Sequence, residues 1–451
     1  MSQLFLISVV AFSILLLLFL VLYFKIHAFI ALLIVSVVVG AASGMSLQEV
    51  IESIESGMGG TLGFVATVVG LGAIFGQILE ASGGAQSIAV TLIRRFGREN
   101  ASWALVLAGF IIAIPVFLDV GFIILVPIVY ALSKDTKKSI LFYGIPLCAG
   151  LAVTHAFIPP TPGPVAVADI LEADLGWVIL LGFIVGLPTA VVAGPVFGKY
   201  IAGKINVAPP DYLDTGEKSF DEAKLPSFAL INLLIGIPLF LILLSTVSDV
   251  LVDSGVFEEK MWVSILRFIG HPFIALIIAT LLSLYFLGIK RGFNRKQLLD
   301  LSGKALGPAG LIILVTGAGG VFKQILIDSG VGTMLATEIS NSNLPPLLLA
   351  YLLAVIVRVT QGSATVAMIT AAGIIQPILG VFDLSPAGVA LVVLVIAAGA
   401  TTASHVNDSG FWLVGKYLGL TEKQTLQSWT VMETIISVVG FILAFLISFW
   451  V

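Results

Sequence analysis

From Leu4 to Trp450 the chain passes through one apolar run after another, separated by short polar loops. Each run is near the roughly 20 residues that a helix needs to cross the hydrocarbon core of a bilayer. Nothing else in the sequence restricts the possible folds as strongly, because in lipid each backbone polar group must be satisfied inside the protein and the spans are therefore helical. Charged residues make up only 11% of the chain and hydrophobic ones 59%, against about 25% charged in soluble domains. No soluble domain fits between the runs, so the expected fold is an all-α polytopic membrane protein. The longest polar segment, Lys199 to Lys224, mixes Asp211, Asp214, Glu217, Asp221 and Glu222 with Lys218 and Lys224 and contains Pro209-Pro210. It reads as a cytoplasmic linker over residues 199–226 between two halves. The single cysteine, Cys148, lies in an apolar run, where a buried structural thiol is expected. Met1-Ser2-Gln3 has no basic n-region and no small-residue cleavage site follows, so Leu4 to Phe24 is read as a retained span.

Basic residues cluster at Lys25, Arg94-Arg95-Arg98, Lys134-Lys137-Lys138, Lys199-Lys204, Lys290-Arg291-Arg295-Lys296 and Lys416-Lys423, and the positive-inside rule places these loops in the cytoplasm. The cation-poor loops at Glu49-Glu52-Glu55, Glu172-Asp174, Asp249 to Glu259 and Glu338 to Asn343 fall outside. The run from Ala104 to Leu132 has basic loops at both ends, and a re-entrant hairpin over about 104–132, with Pro115 and Asp119-Val120-Gly121 near its tip, resolves the conflict. The run from Leu344 to Leu379 enters and leaves from cation-poor loops, so it is expected to be a second hairpin, over about 344–379, tipped at Gln361-Gly362-Ser363. The remaining spans are 4–24, 26–44, 61–79, 140–171, 177–198, 227–248, 270–288, 308–327, 387–415 and 430–450. Their even number puts both termini on one side, the outside.

Gly70-Leu71-Gly72-Ala73-Ile74-Phe75-Gly76-Gln77-Ile78-Leu79 matches Gly317-Ala318-Gly319-Gly320-Val321-Phe322-Lys323-Gln324-Ile325-Leu326, and in the same register Ser82-Gly83 matches Ser329-Gly330. The first copy follows an acidic loop and precedes a basic one; the second follows a basic loop and precedes one without cations. Two inverted-topology repeats are therefore expected, 1–198 and 227–451, each with about five crossings, one re-entrant helical hairpin and a broken helix.

The broken helices lie over about 140–171, at Thr154-His155 and the prolines 159, 160, 162 and 164, and over about 387–415, at Thr401 to Gly410. Both contain a hydroxyl residue followed by histidine, Thr154-His155 and Ser404-His405, read as equivalent. Two breaks and two hairpin tips at the midplane form a solute site. Half-helix N-termini there favour an anion, and Ser363, Thr365, Thr154, Thr161, Ser404 and Asn407 offer neutral hydrogen bonds to hydroxyl groups, around the Gly362 turn. A small polyhydroxylated carboxylate fits. A charge near the bilayer centre costs about 2.5–3.5 kcal/mol on insertion scales, which singles out Asp119 and Asp408 as proton-coupling candidates. His155 and His405 are candidates for substrate bonds or proton relay, and Arg358 for the substrate carboxylate. Lys323 reads as an interfacial anchor, and Glu80 and Asp328 as solvated span ends. No His-Glu-x-x-His spacing, nucleophile constellation or phosphate loop occurs, so neither an enzyme nor an ATP-driven pump is expected, and no metal, cofactor or nucleic-acid partner. An anion channel is the alternative of a different class.

Gly57-Met58-Gly59-Gly60-Thr61-Leu62-Gly63, Gly83-Gly84-Ala85-Gln86, Val153-Thr154-His155 with its proline run, Gly362 to Ala367, and Ser404-His405-Val406-Asn407-Asp408 with Gly410-Phe411-Trp412 together resemble the gluconate:proton symporters, within the ion-transporter superfamily of inverted-repeat carriers. The resemblance covers nearly the whole chain. It implies a bacterial cytoplasmic-membrane permease that takes up gluconate or a related sugar acid with protons, with relatives that carry D-serine; sodium stays open as the coupling ion. It also suggests that scaffold spans such as Leu4 to Phe24 pair with a second copy in a homodimer. The chain departs from the family pattern at Asp119, where a glutamate is frequent, and at Thr161, where a histidine is frequent; Gln361 before Gly362 is also unusual.

Overall fold

A computed structural model describes residues 9–451 except 10, 11, 14, 18, 22, 211–223, 257, 259, 332–343 and 381. Much of the first apolar run, the charged centre of the linker and the cation-free loop Glu338 to Asn343 thus lie outside the described residues. Among the described residues every regular element is a helix: α1 (Ala28–Ala42), α2 (Leu47–Ala81), α3 (Gly84–Phe96), α4 (Ala101–Ile112), α5 (Leu118–Thr136), α6 (Leu141–Phe157) and α7 (Pro162–Ile170), then α8 (Leu175–Lys204), α9 (Phe228–Asp253), α10 (Met261–Gly270), α11 (Pro272–Arg291) and α12 (Arg295–Asp328), and finally α13 (Pro346–Gln361), α14 (Ala364–Leu379), α15 (Pro386–Thr401), α16 (Ser409–Tyr417) and α17 (Glu422–Ile447). Seven of the helical stretches, α2, α6 with α7, α8, α9, α11, α12 and α17, are long and apolar enough to cross a membrane. The all-helical membrane architecture expected from the sequence is therefore present.

The frame is built on α2 and α12. Each starts at a capping box, Ser46 with Glu49 and Asn294 with Gln297, in which side chains satisfy the first free backbone donors. Each ends at a serine cap followed by a left-handed glycine, Gly83 at φ 81° and Gly330 at φ 71°. The two helices cross antiparallel: Ser53 donates to Asp328 at 2.6 Å, Gly57 lies against Gly320, and Gly70 lies near Leu306. A Cβ on Gly57 would sit 2.7 Å from the Gly320 carbonyl oxygen, so the absent side chains permit a backbone approach, as small residues do between membrane helices.

The register that carries Gly70 onto Gly317 continues through the chain. It places α7 on α16 end to end, the last residue of α2 on the last residue of α12, and the start of α8 on the start of α17. In this register Thr154 corresponds to Thr401, so the pairing of Thr154-His155 with Ser404-His405 is three residues out.

Two turns and two breaks depart from regular helix. The chain bends between α4 and α5 at 113–117, where Pro115 packs against Gly76 in α2, and between α13 and α14 at Gly362-Ser363. It breaks between α6 and α7 at 158–161, where the Pro159-Pro160 peptide is cis, and between α15 and α16 at 402–408. Three features differ from the sequence reading. Glu49, Glu52 and Glu55, assigned to a loop, lie on the first turns of α2, and Arg295, Lys296 and Lys304 lie on α12. The helices α3 and α10, 13 and 10 residues long, were not anticipated, because each is shorter than a span; α3 sets Arg95 over the Phe228 ring.

Candidate functional site

Helices α5, α7, α14 and α16 all begin at one of these turns or breaks, and residues of their first turns, among them Asp119, Gly163, Thr365 and Gly410, line a single cavity of about 610 Å³. The free N–H groups at a helix start carry a partial positive charge. Four such ends around one cavity, with α7 offering only the Gly163 N–H because Pro162 and Pro164 have none, make an environment suited to an anion. Ser363 caps α14 by accepting the Val366 N–H at 3.4 Å, and Asp408 caps α16 by accepting the Gly410 N–H at 3.0 Å.

The hairpin tip is fastened to the second break. Gly362 has φ 84°, and a Cβ there would lie 2.3 Å from the Asn407 carbonyl oxygen, so both conformation and space require glycine. Asn407 Nδ2 donates to the Val359 carbonyl at 3.1 Å. Arg358, 2% exposed, donates through Nη2 to Asp408 Oδ2 at 2.6 Å and through Nη1 to the Gly362 carbonyl. Ser404 donates to the same Asp408 oxygen and in turn accepts the Trp429 Nε1–H at 2.7 Å. Asp408 thus has three donors, and the guanidinium is committed to it, with only Nε left without a partner.

Of the residues singled out from the sequence, Gly362, Ser363, Thr365, Arg358, Asn407, His155, Asp119 and Asp408 line the cavity. His155 Nδ1 is buried with no hydrogen-bond partner, and Asp119 accepts none of the hydrogen bonds of the described residues. Thr154, Thr161, Ser404 and His405 are not on the wall. The Thr154 hydroxyl donates to the Phe110 carbonyl at 2.9 Å and ties α6 to α4. Thr161 donates to the Ile158 carbonyl at 2.6 Å, and His405 Nδ1 lies 2.8 Å from the Ala403 carbonyl. The Thr154, Thr161 and His405 side chains thus bond backbone carbonyls beside the turns and breaks. Outside the cavity, Lys323 pairs with Glu172 of the turn after α7 at 3.0 Å, and Asp328 accepts from Ser53 and Gln324; Glu80 accepts from Gln77 at 3.0 Å.

Three further wall residues are not among those assigned to the site from the sequence, although Gln361 and Thr401 lie at the expected hairpin tip and second break. Thr401 ends α15; Gln361 presents both side-chain polar atoms buried and unpartnered; and Glu433 is a carboxylate only 5% exposed. A lone carboxylate in the run Val431-Met432-Glu433-Thr434-Ile435 was the available signal for the last.

A model of the GntP family permeases matches residues 5–450. The chain is 43% identical over 439 residues to a gluconate permease of Bacillus subtilis, covering 96% of this chain and 97% of that one. It is 42% identical over 428 residues to a low-affinity gluconate transporter of Escherichia coli, covering 95% of both, and 41% identical over 432 residues to the Gnt-II system L-idonate transporter of that species, covering 96% of both. These relatives are permeases and transporters, not enzymes. Among solved structures, the YdaH transporter of Alcanivorax borkumensis matches with a TM-score of 0.65 at 16% identity, over 94% of this chain and 98% of that one, a likeness of fold. Matched over almost its whole length and built of apolar helices around a cavity that carries charged and hydroxyl side chains on its wall, this chain belongs to the GntP family of membrane permeases.

Proposed function

We propose that the protein imports gluconate, or a related small hydroxylated carboxylate, across the bacterial cytoplasmic membrane by proton symport with alternating access. The observation that carries this reading is the cavity itself: four helix N-termini for a carboxylate, with Ser363, Thr365 and Asn407 as neutral partners for hydroxyl groups. Its volume falls in the roughly 300–1,000 Å³ range of small-molecule sites. Relatives named for gluconate and L-idonate at 41–43% identity support a sugar acid over D-serine.

Charge supports the coupling. The wall already holds Asp119, Asp408 and Glu433 against one guanidinium, and unit charges a few ångströms apart interact by about 4 kcal/mol at an effective dielectric of 20. Bringing in an anionic substrate adds to that repulsion unless a proton comes with it. Asp408 serves mainly to hold Arg358, and Asp119, which accepts no hydrogen bond among the described residues, lies on the cavity wall. Arg358 then positions the tip and contributes field instead of grasping the substrate. The antiparallel α2–α12 pair and the shared register of the two halves support inverted repeats over 1–198 and 227–451, with α4–α5 and α13–α14 as re-entrant hairpins. In such carriers one bundle moves against a scaffold around a fixed site.

Counterflow of labelled gluconate into proteoliposomes loaded with unlabelled gluconate tests the reading. Saturable counterflow, competed by L-idonate, is expected; flux that never saturates supports a channel and overturns the carrier.

A further inference from the structure

We infer that Glu433 is the group that carries the coupled proton across with the substrate. The inference rests on the proton-symport reading above and adds the site at which the proton is held.

Glu433 stands near the middle of the 26-residue spanning helix α17, is 5% exposed, and reaches the substrate cavity. Among the described residues nothing donates a hydrogen bond to it and no cation pairs with it, in contrast to Asp408 with its three donors. The nearest cation, Arg358, is already engaged by Asp408 and by the Gly362 carbonyl. The titratable groups facing Glu433 are therefore Arg358, Asp408 and Cys148 of α6. Of the other elements packed on α17, α15 and residues 175–196 of α8 contain no charged or titratable side chain; α6 adds Tyr143 and His155, α16 brings Lys416 and Tyr417 against residues 422–430, and α13 brings Tyr351, whose hydroxyl lies 2.9 Å from Ser437 Oγ. An ionised Glu433 has no protein counter-charge of its own, and burying an unpaired charge is costly. The protonated acid fills the same place without that cost and leaves the wall less negative for an incoming carboxylate.

The cycle that follows is balanced. A proton from water on the outer side bonds to a Glu433 carboxylate oxygen as the substrate anion enters; the O–H bond breaks toward cytoplasmic water as the substrate leaves. The Arg358–Asp408 pair stays closed throughout.

The test uses the full-length protein in proteoliposomes containing a pH-sensitive dye, with gluconate as the probe. The parent protein is expected to move protons with gluconate. Glu433→Gln should lower gluconate-coupled proton flux at least tenfold while retaining a slower gluconate counterflow that no longer varies with pH. Glu433→Asp should restore part of the coupling, and Glu422→Gln, at the exposed start of the same helix, should behave like the parent. Glu433→Gln that couples like the parent, loses counterflow altogether, or keeps the parent's pH dependence overturns the inference. A parent that transports gluconate with no proton movement overturns the symport reading instead. Should Glu433→Gln fail to fold, the unmodified chain decides: dicyclohexylcarbodiimide, which adds to carboxylic acids in apolar surroundings, should modify Glu433 more slowly as pH rises and as gluconate is added. Modification of other carboxylates with Glu433 left clean overturns the proposal.

Discussion

Arg358 is surrounded by acceptors that the chain itself supplies, and this decides what it can do. An arginine whose fork is bound to Asp408 and to its own hairpin tip acts as a fastener. Replacing it by glutamine leaves Asp408 in place without its cation, and removing one partner of a buried pair costs about 3–5 kcal/mol. Arg358→Gln is accordingly expected to lower the melting temperature of the detergent-solubilised protein clearly, beyond any loss of uptake. Gly362→Ala should do both as well, since a non-glycine residue in the left-handed region costs about 1–2 kcal/mol and the added methyl meets the Asn407 backbone. At least a tenfold fall in uptake rate is expected. Gly362, Ser363, Thr365 and Asp119 were legible in the sequence because polar or glycine residues interrupt long apolar runs. Glu433 was missed for a physical reason: the hydropathy signal begins near residue 430, which made it look like a span end, whereas the helix starts at Glu422 and puts it near the middle. The Thr154, Thr161 and His405 side chains looked like site residues and instead bond the backbone, and Ser404 holds the Asp408 carboxylate from behind the wall, distinctions that need the geometry of the breaks.

Helix α2 shows how differently two glycines of one element can be used. Gly76 abuts the turn between α4 and α5 so closely that a Cβ would lie well inside non-bonded contact with the Pro115 carbonyl oxygen, whereas Gly59 has nothing within 4 Å. Gly76→Ala should therefore displace the turn that carries Asp119 and reduce gluconate uptake at least tenfold, with helix content by circular dichroism retained. Gly59→Ala should leave uptake within twofold and gain up to about 1 kcal/mol of helix propensity. Equal behaviour of the two variants would mean that the turn does not depend on α2 for its position. Turns and breaks were readable from Pro, Gly and charge asymmetry. The true reach of α2 and α12 was not, because their ends are rich in Glu or Arg and Lys, which hydropathy reads as loop, while capping boxes extend the helix through them.

At the scale of the molecule, the common register of the two halves makes a topological prediction. Lys137, after α5, corresponds to Leu384, after α14. In a Cys148→Ser background, cysteine at 137 should be protected from impermeant thiol reagents in intact cells and cysteine at 384 should be labelled. Labelling of both from one side would refute the inverted arrangement. The length of α2 and α12 has another consequence. With 35 and 34 residues each is about 50 Å long, against a hydrocarbon core of about 30 Å. Even at a tilt of 40° they outreach it, and because they run antiparallel they do so on opposite faces, one ending in glutamates and the other in arginine and lysine. A thicker or thinner bilayer can slide along such a pair without stranding apolar surface or drowning a charge. Uptake should therefore change little when the protein is reconstituted in lipids of progressively longer acyl chains, since the frame that holds the cavity is anchored by its charged ends in water and not by the thickness of the oil around it.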